Sequence, residues 1–169
     1  LNFKNPSLAG DTDLFLSYPL IIKNNNLIVT TEKAVLNYNT VNSTRNWSFS
    51  AEPVFKPIIT LNNTYVVLNN DLLVCLDNIN GKIVWSKNIF NSIKKKKIIK
   101  KFGPIADFKI VNSKINIYSK NGYLLSFDPN NGNLNSLSRV HKNGINSKIV
   151  FLNDNMLFID AKNKLLKFN

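Results

Sequence analysis

One cysteine, one histidine and one methionine stand among 169 residues, and 10 acidic side chains face 22 lysines and arginines. Each scarcity excludes something. A lone Cys75 cannot close a disulfide within the chain, so no internal covalent staple is available and no redox compartment is indicated. Zinc sites take several Cys or His ligands, and one of each is too few. Triad catalysis would have to run through His141, which stands in a polar stretch beside Lys142 and Gly144 and reads as a surface residue. The six glycines are scattered and form no phosphate-cradling loop. No apolar run reaches the length of a transmembrane helix.

What is present is 44% hydrophobic, enough for a sizeable core at this length. The formal net charge is +12, which permits contact with anionic partners. Yet the chain is rich in Lys, Asn and Ile and poor in Gly, Ala and Arg, the bias an AT-rich genome writes whatever the function. A solvated basic surface accounts for it, and no nucleic-acid partner is expected.

The segment from Thr64 to Ile89 organises the rest. It reads Thr-Tyr-Val-Val-Leu, Asn-Asn, Asp-Leu-Leu-Val-Cys-Leu-Asp, Asn-Ile-Asn-Gly and Lys-Ile-Val-Trp-Ser-Lys-Asn-Ile. Three short β-prone runs are separated by two turns. Asn69-Asn70 suits a two-residue hairpin with left-handed backbone angles. Asp77 opens a longer turn, its carboxylate accepting local backbone N–H groups, and Gly81 supplies a positive φ that closes it. Such a meander is too small to stand alone.

It recurs. Tyr38, Leu76, Phe127 and Phe168 occupy one anchor position, within Asn-Tyr-Asn, Cys-Leu-Asp, Ser-Phe-Asp and Lys-Phe-Asn. Trp47 and Trp85 each lie nine residues after their anchors. Gly81 lies four after Asp77, and Gly132 four after Asp128. Each anchor is preceded by a comparable strand pair. A strand-built unit of roughly 40 residues predicts propeller blades rather than a sandwich. The fold class expected is all-β: a propeller of four-stranded antiparallel blades, with about four blades present.

The run Leu-Asp-Asn-Ile-Asn-Gly-Lys-Ile-Val-Trp, residues 76–85, resembles the repeat of the PQQ-like propellers, whose pattern is Ala-Leu-Asp, a short turn, Gly-Lys and then Trp. Phe127 to Gly132 keeps the first half and has Ser136 at the Trp position. Tyr38 to Trp47 keeps the Trp and has Ser43 at the Gly position. Nearly the whole chain from about residue 18 takes part. Blades are expected at about 18–50, 56–89, 105–140 and 147–169, in one domain. Cys75 occupies the small position of the repeat, which makes it a buried structural thiol. Both tryptophans are expected to be buried between adjacent blades.

The chain opens at Leu1 and ends after the third strand of its last blade, so a part of a longer protein is expected, an open arc with Leu1–Lys4 beside the first blade. The interval between the second and third blades carries Lys94, Lys95, Lys96 and Lys97, then Lys100 and Lys101, bracketed by Ile93, Ile98 and Ile99. It reads as an exposed loop of hydrated like charges, or as a contact for anionic lipid or an acidic partner.

Two functional classes follow. The resemblance to the BamB-type subunit of the outer-membrane β-barrel assembly machinery implies a non-enzymatic, periplasmic lipoprotein scaffold without cofactor, whose partner is the central barrel-assembly subunit and whose inter-blade loops make the contact. Pro6-Ser7-Leu8 resembles a contact loop of that family, with Leu8 as the apolar contact; Ala9, Gly10 and Asp11 then depart from its pattern. The alternative is a fragment of a quinoprotein dehydrogenase, which would bind PQQ and Ca²⁺. Those enzymes often carry a vicinal Cys pair and a Trp stacked on the quinone, and here there is one Cys, with both Trp at repeat positions. The Gly-His and Trp-Asp signatures of WD40 repeats are missing.

Overall fold

A computed structural model of the chain describes residues 18–93 and 96–168, with Lys96 described by its backbone only. The described residues form four antiparallel sheets, each a simple meander. The first holds β1 (Ile21–Lys23), β2 (Asn26–Thr30), β3 (Ala34–Asn39) and β4 (Arg45–Ser50). The second holds β5 (Ile58–Ile59), β6 (Asn63–Val67), β7 (Leu72–Asp77) and β8 (Ile83–Asn88). The third holds β9 (Ile105–Val111), β10 (Lys114–Ser119), β11 (Tyr123–Phe127) and β12 (Leu134–Arg139). The fourth has three strands, β13 (Val150–Leu152), β14 (Asn155–Ile159) and β15 (Leu165–Phe168). These are β-propeller blades.

The burial pattern explains the sequence. The inner strands β2, β3, β6 and β7 are buried along nearly their whole length. Both faces of each blade are covered there, so these strands read as continuous apolar runs rather than as alternations. The fourth strands β4 and β12 are largely exposed and carry the polar residues. In each four-stranded blade the register slips once between the third and fourth strands, at Asn37/Tyr38, Cys75/Leu76 and Ser126/Phe127. The anchor thus sits at a β-bulge, where the strand bends toward its turn.

The chain divides into two compact units, one ending at Ile89 and the other starting at Phe90. In the first unit, Ile28, Val35 and Trp47 of the first blade pack with Val66, Val74 and Leu76 of the second. Leu27, Val29, Leu36 and Tyr38 form a core on the other face of the first blade. In the second unit, Tyr118, Ile145, Ile149 and Phe158 join the third and fourth blades.

Three local expectations are corrected. The β6–β7 hairpin is not a two-residue Asn69-Asn70 turn. Asp71 N–H donates to Leu68 O at 3.2 Å, and the left-handed residue is Asp71, at φ 62°. Like Asn, Asp tolerates that region, and placing it last lets the two Asn occupy an ordinary turn. The Lys-rich interval is not simply a loop: Lys96–Phe102 forms a short helix, α1. Its anchor is Phe102, fully buried with its ring against Phe90 at 5.4 Å and Tyr123 at 6.2 Å, while Ile93 is also buried. A lysine run tolerates a helix well enough when one aromatic side chain fixes its end. The last blade's first strand is shorter than its sequence implied, beginning at Val150 instead of Ser147. Ser147 instead receives the Ile159 N–H on its hydroxyl at 2.8 Å. The segment Leu1–Lys4, on which the expected open arc depends, lies outside the described residues. Among the described residues, β15 pairs only with β14.

Candidate functional site: blade turns and a basic cleft

The repeated turns are built by the side chains that open them. Asp77 Oδ1 accepts the N–H groups of Ile79 at 2.8 Å and Asn80 at 3.0 Å, and Gly81 N–H closes on Asp77 O at 2.9 Å with φ +69°. Asp128 repeats the arrangement with Asn130 N–H at 2.8 Å and Gly132 N–H on its carbonyl at 2.8 Å. In the first blade, Asn39 takes the acid's place, accepting Val41 N–H at 2.8 Å. Ser43 there takes the left-handed position that glycine fills elsewhere, at φ 59°. One oxygen of each carboxylate is thus held by the backbone N–H groups of its own turn. The anchors Tyr38, Leu76 and Phe127 are buried, and Phe168 stacks flat on Phe158 at 5.5 Å.

The tryptophans share a register but not an environment. Trp47 faces Asn37, Trp85 faces Cys75, and Ser136 faces Ser126. Trp47 is buried beneath the turn of the next blade. Its indole Nε1–H donates to Asn78 O at 2.9 Å, and its ring lies so close to Gly81 that a β-carbon there would come within 2.7 Å. Trp85 is only partly buried, with its ring tilted against Tyr65 of its own blade at 6.0 Å. This corrects the expectation of two equivalent buried indoles. Trp85 lies on the last strand of the first unit, so no later blade turn of that unit covers it.

Asn78 was not singled out in the sequence, yet it joins the first two blades. Its carbonyl takes Trp47 and, at 3.4 Å, Asn37 Nδ2. Its side chain accepts from Thr64 Oγ1 at 2.6 Å and donates to the carbonyls of Thr60 and Leu61. Its place directly after the turn acid was the available signal. Cys75 is fully buried, and desolvation pushes its thiol up to about 11, so at neutral pH it is an unreactive thiol.

His141 is corrected from a surface residue to a partly buried one. Its side chain is 17% exposed, its Nε2 lies 3.2 Å from Asp160 Oδ2, and its ring meets Phe158 and Phe168 edge-on. Asp160 is buried and also accepts Asn143 Nδ2 at 3.1 Å and the N–H groups of Lys162 and Lys164. The Lys164 N–H, then Asn143, Lys162 and His141, hold its carboxyl down to about 2 against the opposing effect of burial. No hydroxyl or thiol among the described residues is hydrogen-bonded to the imidazole. Asp107 is the other buried acid of this unit. It accepts Ile149 N–H at 2.8 Å and Phe108 N–H at 2.9 Å, tying the segment before β13 to β9.

Between α1, the β10–β11 turn, the end of β12 and the β14–β15 turn opens a cleft of about 600 Å³. Lys100, Lys101, Lys120, Arg139 and Lys142 line it, with no acidic residue. The Arg139 guanidinium lies over the Tyr123 ring, 5.3 Å from its centre, and donates to Lys142 O at 3.0 Å. Asn121 Nδ2 bonds Lys101 O at 3.0 Å and fixes the helix end to the turn. Of the lysines expected to contact a partner, Lys94 and Lys95 lie outside the described residues, as does Leu8. Lys96 and Lys97 fall in α1, with Lys97 exposed, and neither lines the cleft. Among the described residues no three metal-ligating side chains gather, and no helix is long and apolar enough to cross a membrane.

No protein-family model matches the sequence, and no curated protein sequence does either. Solved structures do match. BamB from Moraxella catarrhalis superposes with a TM-score of 0.68 at 9% identity, over 88% of this chain and 41% of that one. The chain therefore spans less than half the length of that BamB. The computationally designed Ika4 protein matches at 0.67 and 9% identity, over 95% of this chain and 94% of its own. Quinohemoprotein alcohol dehydrogenase from Comamonas testosteroni matches at 0.53 and 15% identity, over 71% of this chain and 20% of its own. The chain has a PQQ-like β-propeller fold that resembles BamB.

Proposed function

We infer that this propeller is a non-enzymatic protein-interaction scaffold that works as BamB-type subunits do, on the periplasmic side of a Gram-negative outer membrane, in β-barrel assembly. The observation that carries the reading is the turn end of the first unit. The β3–β4, β5–β6 and β7–β8 turns lie at one end of their blades and hold Val41, Leu61 and Ile79 out to solvent, at 75%, 75% and 85% exposure. Large apolar side chains at such exposure are costly in water and useful at an interface. The turns beneath them are fixed by Asn39, Asp77 and Asn78, so the contact surface is organised before a partner arrives.

The partner this reading assigns is the central barrel-assembly subunit. A photo-crosslinking residue at Ile79 or Leu61, in the chain expressed in a Gram-negative envelope, should capture that subunit, and one at Asn135 on β12 should not. Equal capture from all three positions, or capture from Asn135 alone, rejects the assignment. The likeness to the Comamonas enzyme supplies the competing reading, a piece of a quinoprotein dehydrogenase. Saturable, Ca²⁺-dependent binding of PQQ to the chain would favour it.

A further inference from the structure

We propose that the basic cleft of the second unit is a binding site for a compact ligand carrying clustered phosphate groups. Five cations converge on it from three separate segments, α1, the β10–β11 turn and the stretch from Arg139 to Lys142. Among the described residues none of the five is ion-paired with a carboxylate; the cation pairs formed are those of Lys109 and Lys148 with Asp107, and of His141 with Asp160. Asp160, next to the lining residue Ala161, has both oxygens hydrogen-bonded to Asn143, His141 and two backbone N–H groups, and it forms no ion pair with any of the five. Mutual repulsion among cations held this way is relieved by an anion of matching charge.

The cleft is also preorganised. Arg139 is held by the Tyr123 ring on one face and by the Lys142 carbonyl at one terminal nitrogen, which leaves the rest of its planar fork for a bidentate acceptor. The floor is rigid because the two loops that form it touch backbone to backbone. Ile145 N–H donates to Lys120 O at 2.9 Å, and Val140 N–H to Gly122 O at 2.8 Å. Gly122 and Gly144 make this possible, since a β-carbon on either would fall within 2.2 Å of a facing carbonyl oxygen. Protein partners anchor through apolar or aromatic side chains in a dry pocket. Here the aromatic face of Tyr123 is already covered by Arg139, and Ala161 is the other apolar contributor. The lining therefore favours a small, multiply charged anion over an acidic peptide. Such phosphates arrive either in a lipid headgroup or in a soluble molecule, and the chemistry of capture is the same.

Sodium tripolyphosphate titrated calorimetrically into the whole chain at low salt should bind saturably at one site. Lys120→Gln should weaken it about ten-fold, the worth of one charge-assisted hydrogen bond. Arg139→Lys, which keeps the charge and loses the fork, should also weaken it, whereas Lys82→Gln in the first unit should not. Unchanged thermal melting of the variants would separate binding from folding. Vesicles containing cardiolipin, whose headgroup carries two phosphates, distinguish the sources. If tripolyphosphate displaces the chain from them and Lys120→Gln releases it, the phosphate is a headgroup; if vesicle binding ignores both, it is soluble. The proposal fails if tripolyphosphate does not saturate, or if Lys82→Gln weakens it as much as Lys120→Gln.

Discussion

Gly81→Ala is the most informative single change. Gly81 has φ +69°, and alanine in the left-handed region costs about 1–2 kcal/mol. The added β-carbon would also stand 2.7 Å from the Trp47 ring, inside any real contact. That ring cannot simply retreat, because it is buried in the core of the first two blades and tethered to Asn78 O. Forcing an extra carbon into such packing costs about 1–3 kcal/mol. The total, about 2–5 kcal/mol, corresponds to a fall in Tm of about 5–20 °C for a chain of this size. Both tryptophans lie in the first unit, so indole fluorescence reads its melting directly. The two contributions separate in a double-mutant cycle with Trp47→Leu, in which Trp85 remains as reporter. Removing the indole abolishes the clash and leaves the backbone strain, so the double variant should be about 1–3 kcal/mol more stable than additivity predicts. A Gly81→Ala protein that melts like wild type, or a strictly additive cycle, would refute the packing of Trp47 on this turn.

Other outcomes follow from the same contacts. Trp47→Ala should cost about 3–5 kcal/mol and Trp85→Ala clearly less, by the same fluorescence or circular-dichroism melts, because only Trp47 is buried. Asp107→Ala should destabilise the second unit by about 1–3 kcal/mol, since it orphans the buried N–H of Ile149; hydrogen exchange at that amide should accelerate. Asp160 has a folded pKa of about 2 against an ordinary 3.8, so the unfolded chain takes up its proton first as pH falls. Its stabilisation is present above about pH 4 and fades toward pH 2, and the gap between wild type and Asp160→Asn in denaturant midpoint should close over that window. Asn78→Ala should destabilise the turn end of the second blade by removing the acceptor of the buried Thr64 hydroxyl, while the carbonyl that takes Trp47 stays in place; equilibrium denaturation of the first unit would register the loss.

The repeat was legible in the sequence because its signals are local. A turn acid accepts N–H groups two and three residues on, a positive-φ residue follows at fixed distance, and apolar runs mark strands whose two faces are both covered. None of this needs a distant partner, and so the propeller fold could be read from Asp77, Gly81 and their repeats. Ser43 shows the limit even there, for it fills a left-handed position that its side chain does not advertise. What only the tertiary structure decided depends on residues far apart in the chain. Trp47 and Trp85 stand at one sequence position, yet their burial differs because burial belongs to whatever packs above, and the turn that covers Trp47 lies about 30 residues away. His141 looked solvated among Lys and Asn neighbours until Asp160 came beneath it. The lysine run drew notice through its density, but the cleft takes Lys100 and Lys101 from its end and Lys120, Arg139 and Lys142 from elsewhere. Charge density along a chain is a local property; convergence of charge in space is set by how the blade turns meet.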